Sequence, residues 1–247
     1  MPELRDPLPE PSGPSRGRPL DHLVVVAPDL TGAADRLARD GFVVTPESHH
    51  PFGTSNRLVM FPGCYLELVT VSRPDLVPET GFAAFVAGCL ERGLTGVRMV
   101  VLKTADAEAD RARLRASGLP VPAPTQFGRE ATLPDGSIAR VEFETLFPPP
   151  PTPDFSVFYC RHLDPEVVWH PDLLDHPNRA GALRSVAMVD PGPAGWHHLA
   201  LLAGLEAAPP ARLGTVEIVP GAPLLEVDST RGPLRVDLGA VLGHGPS

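Results

Sequence analysis

The feature that most constrains this chain is a recurring order of elements. One strand, one helix and three further strands are written three times along its 247 residues. The first copy spans Leu20 to Val71. Its opening run, Leu20-Asp-His-Leu-Val-Val-Val-Ala, reads as a strand because Val24, Val25 and Val26 are β-branched and Pro28 cannot extend a ladder. Asp29 or Thr31 then caps a helix over about 31–40, with Leu30, Ala33, Ala34 and Leu37 on its apolar face and Gly41 as its stop. Phe42–Thr45 reads as a short strand and residues 46–55 as a loop. Arg57–Phe61 and Cys64–Val71 form a hairpin turned by Pro62-Gly63.

A Pro-rich connector (72–79) and an amphipathic helix over about 81–92 lead to the second copy. Residues 96–102 give its strand, and 105–116 a helix rich in Ala, Glu, Asp and Arg that ends at Gly118. Extended segments follow near 121–127, 138–146 and 155–160, the first two joined by a turn at Pro134-Asp-Gly136. The stretch 162–181 carries Trp169, His170 and His176-Pro-Asn178. A connection this long is usually functional or disordered, and its Trp and aliphatic residues favour order. The third copy is shorter: a strand at 183–189, a helix at 195–205, and strands at 213–219, 224–227 and 234–238. Repeats of one supersecondary unit pair edge to edge and share a core. The expected organisation is an arm at 1–18, one repeated domain at 19–240 and a tail at 241–247.

Composition removes several function classes. The net charge is −9 and the only lysine is Lys103, so no basic surface is available for nucleic acid. Three scattered cysteines (64, 89 and 160) make neither a disulfide framework nor a zinc spacing, and read as buried thiols. No signal pattern and no apolar run of membrane-spanning length is present, which implies a cytoplasmic protein with no membrane partner. No Gly-rich phosphate loop and no Gly-Xaa-Ser-Xaa-Gly appears.

Two polar residues interrupt apolar strands in the first copy. His22 is either a half-buried strand histidine with a backbone partner or a metal ligand. Glu67 is either a solvent-facing residue, since Leu66 and Leu68 alternate with it, or a ligand and catalytic carboxylate. Alternation aims both at one face of one sheet, and imidazole with carboxylate suits Zn, Fe, Mn, Ni or Co, not Ca. A third ligand would come from His49, His50 or His176, or less readily from His162. Asn56 is a turn residue or a partner beside the site. His176 starts a turn or contacts substrate. Arg129 pairs with Glu142 or Glu144, the favoured reading, or binds an anionic substrate.

The repeated order, Leu20-Asp-His22-Leu-Val, Gly53-Thr-Ser-Asn56, Tyr65-Leu-Glu67-Leu-Val, Arg129 before Pro134-Asp-Gly136, and His176-Pro-Asn178 together resemble the vicinal-oxygen-chelate superfamily, in its glyoxalase-like branch. The resemblance covers about residues 19 to 240. It implies an α+β fold of βαβββ modules that form a curled, cup-shaped mixed sheet with helices outside. It also implies a divalent metal in the cup, held by His22 on the first strand and Glu67 on the fourth; His50 or His49 is this chain's own candidate for a further ligand. Asn56, Arg129 and His176 would contact substrate. The activity implied is a metal-dependent lyase, isomerase or dioxygenase acting on a small oxygen-rich molecule. The alternative is a metal-free protein of the same fold that binds or sequesters a small molecule. The second unit offers Arg98 or Met99 at the place of His22, and the region of Tyr159–Cys160 at the place of Glu67. Edge strands and a short third unit are compatible with a homodimer.

Overall fold

A computed structural model of the chain describes residues 17–243. The expected arm lies outside the described residues as far as residue 16, as does the tail from 244. Gly17 and Arg18 are anchored: their N–H groups donate to the carbonyls of Arg212 and Ala203, each at 2.9 Å, and the Arg18 guanidinium pairs with Asp110.

The first unit is β1 (Leu20–Val26), α1 (Leu30–Arg39), β2 (Ser48–His49), β3 (Thr54–Phe61) and β4 (Cys64–Val71). Asp29 caps α1 through its carboxylate, and Leu30, Ala33, Ala34 and Leu37 are the helix's buried face. Residues 42–45 form no strand. Pro46 has no N–H for a ladder there, and Thr45 instead exchanges single bonds with Leu58 before β2 begins at Ser48. α2 (Phe82–Glu91) connects to the second unit: β5 (Gly96–Lys103), α3 (Ala107–Ala116), β6 (Thr125–Thr132), β7 (Ile138–Leu146) and β8 (Ser156–His162). The long connection is ordered, with a short helix α4 (Pro165–Val168). The third unit is β9 (Ala180–Met188), α5 (Gly192–Ala203), β10 (Ala211–Leu213), β11 (Val216–Pro220), β12 (Leu224–Ser229) and β13 (Leu234–Asp237), with α6 (Leu238–Val241) after it.

The first two units build one eight-stranded sheet in the order β2-β3-β4-β1-β5-β8-β7-β6. β1 pairs with β4 and β5 with β8 in parallel, while β1 and β5 run antiparallel and join the units at the centre. The sheet curls until its edges approach: the rings of Phe52, just after β2, and Phe127 on β6 lie 5.0 Å apart. The fold class is the expected one, α+β with a curled mixed sheet.

The two faces of the sheet carry different cores. On the convex face Leu23, Val25, Leu66, Leu68, Val100 and Leu102 join α1, α3 and α5 in one cluster. The third unit's own five-stranded sheet, in the order β10-β11-β9-β12-β13, belongs to that same cluster through Leu183, Val186, Ile218 and Leu225. On the concave face Val24, Val26, Val69, Met99, Val101 and Phe158 meet Phe85, Val86 and Cys89 of α2.

Tyr159 is the polar link between the outer face and the third unit. It is fully buried, its hydroxyl donates to the Leu202 carbonyl at 2.7 Å, and it accepts from Arg113 at 2.7 Å. Removing the hydroxyl takes the 2.7 Å partner from both groups and leaves the Leu202 carbonyl a longer contact, 3.4 Å, from Arg113 Nη2. Tyr159→Phe is therefore expected to lower unfolding stability by about 1–2 kcal/mol in urea titrations, with no effect on ligand binding inside the cup.

Candidate functional site

β1 departs from simple alternation. Its pairing with β5 shifts between Leu20, opposite Leu102, and His22, opposite Val101, so Asp21 is an inserted bulge residue. Leu20 and Leu23 consequently share the convex core, three positions apart, and Asp21 and His22 are both freed from it. The Asp21 carboxylate then accepts from His22 Nδ1 at 2.7 Å and from His162 Nε2 at 2.9 Å. An ionised carboxylate only accepts, so His22 donates from Nδ1, and Nε2 is the ring nitrogen that faces Glu67. Burial opposes ionisation of Asp21, but the hydrogen bonds and charge of His162 and His22 hold it well below the usual carboxylate range.

The parallel register of β1 and β4 sets His22 opposite Tyr65 and Val24 opposite Glu67. His22 and Glu67 are thus diagonal neighbours on one face. His22 stacks on the Tyr65 ring at 4.4 Å, and its Nε2 lies 3.5 Å from Glu67 Oε2. The two residues are each only 4% exposed. The expected convergence of His22 and Glu67 is present in space.

His50 reaches the other carboxylate oxygen, with Nε2 3.8 Å from Glu67 Oε1. Its Nδ1 is bonded to Thr54 Oγ1 at 2.8 Å and its ring stacks on Phe52. Gly53 makes this loop turn. Its φ is +89°, and a Cβ there would sit 2.3 Å from the Arg73 carbonyl oxygen. Burial, then the charges on Arg129, His22 and His49, lower the His50 pKa from 6.5 to about 3, so its imidazole is neutral. Asn56 donates through Nδ2 to Glu67 Oε1 at 2.6 Å, while its Oδ1 is buried with no partner.

These residues line a cavity of about 260 Å³. Phe52, Phe82, Phe127, Phe143, Phe147 and Phe158 form most of its apolar wall. Arg129 enters from β6, where alternation puts it on the concave side with Phe127 and sends Gln126, Gly128 and Glu130 to the other. The pairing of Arg129 with Glu142 or Glu144 is absent for that reason. Arg140 takes Glu142 at 2.9 Å, and Arg161 lies 3.5 Å from Glu144.

Two expected residues do not reach the cavity. The His49 side chain is 70% exposed and bonds Ser55, because it alternates with His50 across the strand end. His176 uses both ring nitrogens on backbone, accepting from Val43 N–H at 2.9 Å and donating to the Met60 carbonyl at 2.8 Å. It pins the long connection against Phe42 and Phe61 on the outer side.

Asp21, Tyr65 and His162 complete the surroundings; the sequence pattern gives no role to Asp21 or Tyr65 and offers His162 only as a less ready third ligand. The visible signal was Leu20-Asp-His-Leu23, in which leucines three apart in a strand mark a bulge. Nothing in the sequence marked His162 as lying beside residue 21. Asp21, Cys160 and His162 hold potential ligand atoms within 4.8 Å of one another. Burial raises the Cys160 thiol well above its ordinary range, and the Asp21 oxygen already holds two imidazoles. That group is better described as the support behind His22. Trp169 covers it from outside, 4.8 Å from His162, with Lys103 over its other surroundings at 4.6 Å from the indole. Facing the cup from the second unit are Met99, Val101, Phe158 and Cys160, which add no ready nitrogen or carboxylate. No helix among the described residues is long and apolar enough to cross a membrane.

A family model described as a glyoxalase-like domain matches residues 20–202. No curated protein matches the chain in sequence. Among solved structures, a hypothetical protein from Staphylococcus aureus aligns over 88% of this chain and 85% of its own, at 16% identity and a TM-score of 0.59. The methylmalonyl-CoA epimerase of Mycobacterium tuberculosis aligns over 61% of this chain and 92% of its own (16% identity, TM-score 0.41). A mutant 4-hydroxymandelate synthase of Streptomyces coelicolor aligns over 90% and 62% (14% identity, TM-score 0.45). At these identities the likeness concerns the fold. With the family matched over most of the length and two βαβββ units closing one cup, the chain belongs to the glyoxalase-like domain family of the vicinal-oxygen-chelate superfamily.

Proposed function

We propose that this protein is a divalent-metal-dependent enzyme of lyase, isomerase or dioxygenase type that acts on a small oxygen-rich molecule in the cup. The observation that carries the proposal is the position of His22 Nε2, oriented by the Asp21 bond to Nδ1 and directed at Glu67 across 3.5 Å inside a cavity. Two donors that each lie ~2.1 Å from one ion are separated by ~3–4 Å, and both the His22–Glu67 and His50–Glu67 spacings fall in that range. The unpartnered Asn56 Oδ1 adjoins the same donors. Such a nitrogen and carboxylate set suits Zn, Fe, Mn, Ni or Co. His22, Glu67 and His50 would hold the ion, which when bound supplies Lewis-acid polarisation of a substrate oxygen.

The chain's own groups divide the remaining work. Asp21 keeps His22 in the tautomer that leaves Nε2 free, the carboxylate–histidine support common behind metal ligands. Asn56 orients Glu67 through Oε1, which leaves that carboxylate placed to take up a substrate proton. Burial raises the Tyr65 hydroxyl well above its ordinary range, so it stays protonated and able to donate. The phenylalanine walls exclude water.

One observation favours a second reading, a metal-free protein that binds or sequesters a small molecule. Asn56 Nδ2 already occupies Glu67 Oε1, and the second unit turns Met99 and Phe158 toward the cup. Metal analysis of protein purified without an affinity tag separates the two. Close to one divalent ion per chain is expected, lost in His22→Ala or Glu67→Ala, and Asp21→Asn should weaken affinity by about 10–100-fold. A chain that stays metal-free after incubation with Zn, Mn, Fe, Ni and Co salts would sink the enzyme reading and leave the binding protein.

The neutral state of His50 has a measurable consequence in chelator-treated protein. The unfolded chain takes up its proton near pH 6.5, and the folded chain refuses it until about pH 3. Stability from this residue is complete above about pH 6.5 and is lost as pH falls toward about 3, by at most ~1.4 kcal/mol per pH unit. Urea titrations across this window should show a shallower acid loss for His50→Gln than for the parent.

A further inference from the structure

Arg129 is the one arginine or lysine among the described residues that line the cavity. It is 8% exposed. Its Nη1 reaches only the Glu130 carbonyl, at 3.3 Å, and its Nε is buried with no partner. The guanidinium lies over the Phe143 ring at 5.6 Å, and no ion pair among the described residues includes it. Burial disfavours its charged form, with Glu67 and Tyr65 as the compensating influences. A charge taken out of water without a counter-ion lowers stability. The alternating register of β6 would have allowed an apolar residue here at no cost to the sheet.

The rest of the wall defines what else could fill the space. Phe143 lies under the guanidinium, and Phe52, Phe82, Phe127, Phe147 and Phe158 line the same cavity. A cavity of about 260 Å³ exceeds the ~150 Å³ that accepts a benzene ring, and falls near the small end of ligand pockets at ~300 Å³.

We infer that the cup takes a small organic carboxylate with a planar apolar body, its carboxylate on Arg129 and its body among the phenylalanines. This names the ligand class of the site proposed above and so rests on that cavity being the binding site, but it does not require a metal. A guanidinium N–H pair offers a carboxylate two parallel charge-assisted hydrogen bonds, and the buried Nε supplies a donor that otherwise has none. Water exclusion by the aromatic wall strengthens that contact.

Calorimetric titration with phenylacetate, neutral phenylacetamide and acetate tests the assignment, in chelator-treated protein and again after metal loading. In the chelated protein phenylacetate should bind about 10-fold or more tightly than either comparison compound. Arg129→Met should erase the difference between acid and amide, and Arg129→Lys should keep a reduced one, which secures the test if the methionine variant does not fold. Equal affinities for acid and amide, no detectable phenylacetate binding at millimolar concentration, or a preference that survives Arg129→Met would each overturn it. The chelated arm keeps the two readings apart. A protein that binds no metal yet prefers phenylacetate loses only the enzyme reading, whereas one that binds metal without the preference loses only this assignment.

Discussion

The contact on which the site depends is the Asp21 carboxylate held between two imidazoles. One inserted residue in β1 brings it there, and the same insertion turns His22 toward the cup while keeping Leu20 and Leu23 in the outer core. Hydrogen bonds to a charged group contribute ~1.5–3 kcal/mol each, enough to hold the carboxylate ionised in a place where burial opposes it. Without that anion the His22 ring could place its proton on either nitrogen. With it, Nδ1 is the donor and Nε2 faces Glu67.

Charge and solvent exclusion are coupled throughout the cavity. Glu67 and Arg129 stand in a wall that is largely aromatic, and Asp21 is buried behind His22. Each carboxylate is satisfied by neutral donors or imidazole: Asn56 on Glu67, His22 and His162 on Asp21. Arg129 has only a backbone carbonyl and a ring face. Of the buried polar atoms without a partner among the described residues, Asn56 Oδ1 and Arg129 Nε belong to residues that line this one cavity.

Much of this was legible in the sequence, and the limits have physical causes. Strand and helix order followed from periodicity, caps and stops. The convergence of His22 and Glu67 followed from alternation in two strands of a repeated unit. His50 and His49 could not be separated, because a doublet at a strand end points one ring each way and only the turn at Gly53 decides which. Arg129 looked like a structural pair because opposite charges stood nearby in the sequence, yet the register put them on the opposite face. His176 looked like a contact residue, and its two nitrogens instead meet backbone groups far along the chain. The Asp21–His162 contact joins residues 141 apart, a distance that no local pattern encodes.

The two halves of the cup are unequally loaded. The first unit carries His22, His50, Asn56 and Glu67, while the second supplies Arg129 and most of the ring-bearing wall. Substitutions at Phe127, Phe143 or Phe158 can reshape what is admitted without disturbing the hydrogen bonds that order the polar half. The shape of the cavity is therefore set chiefly from β6 to β8, and its polar order from β1 to β4.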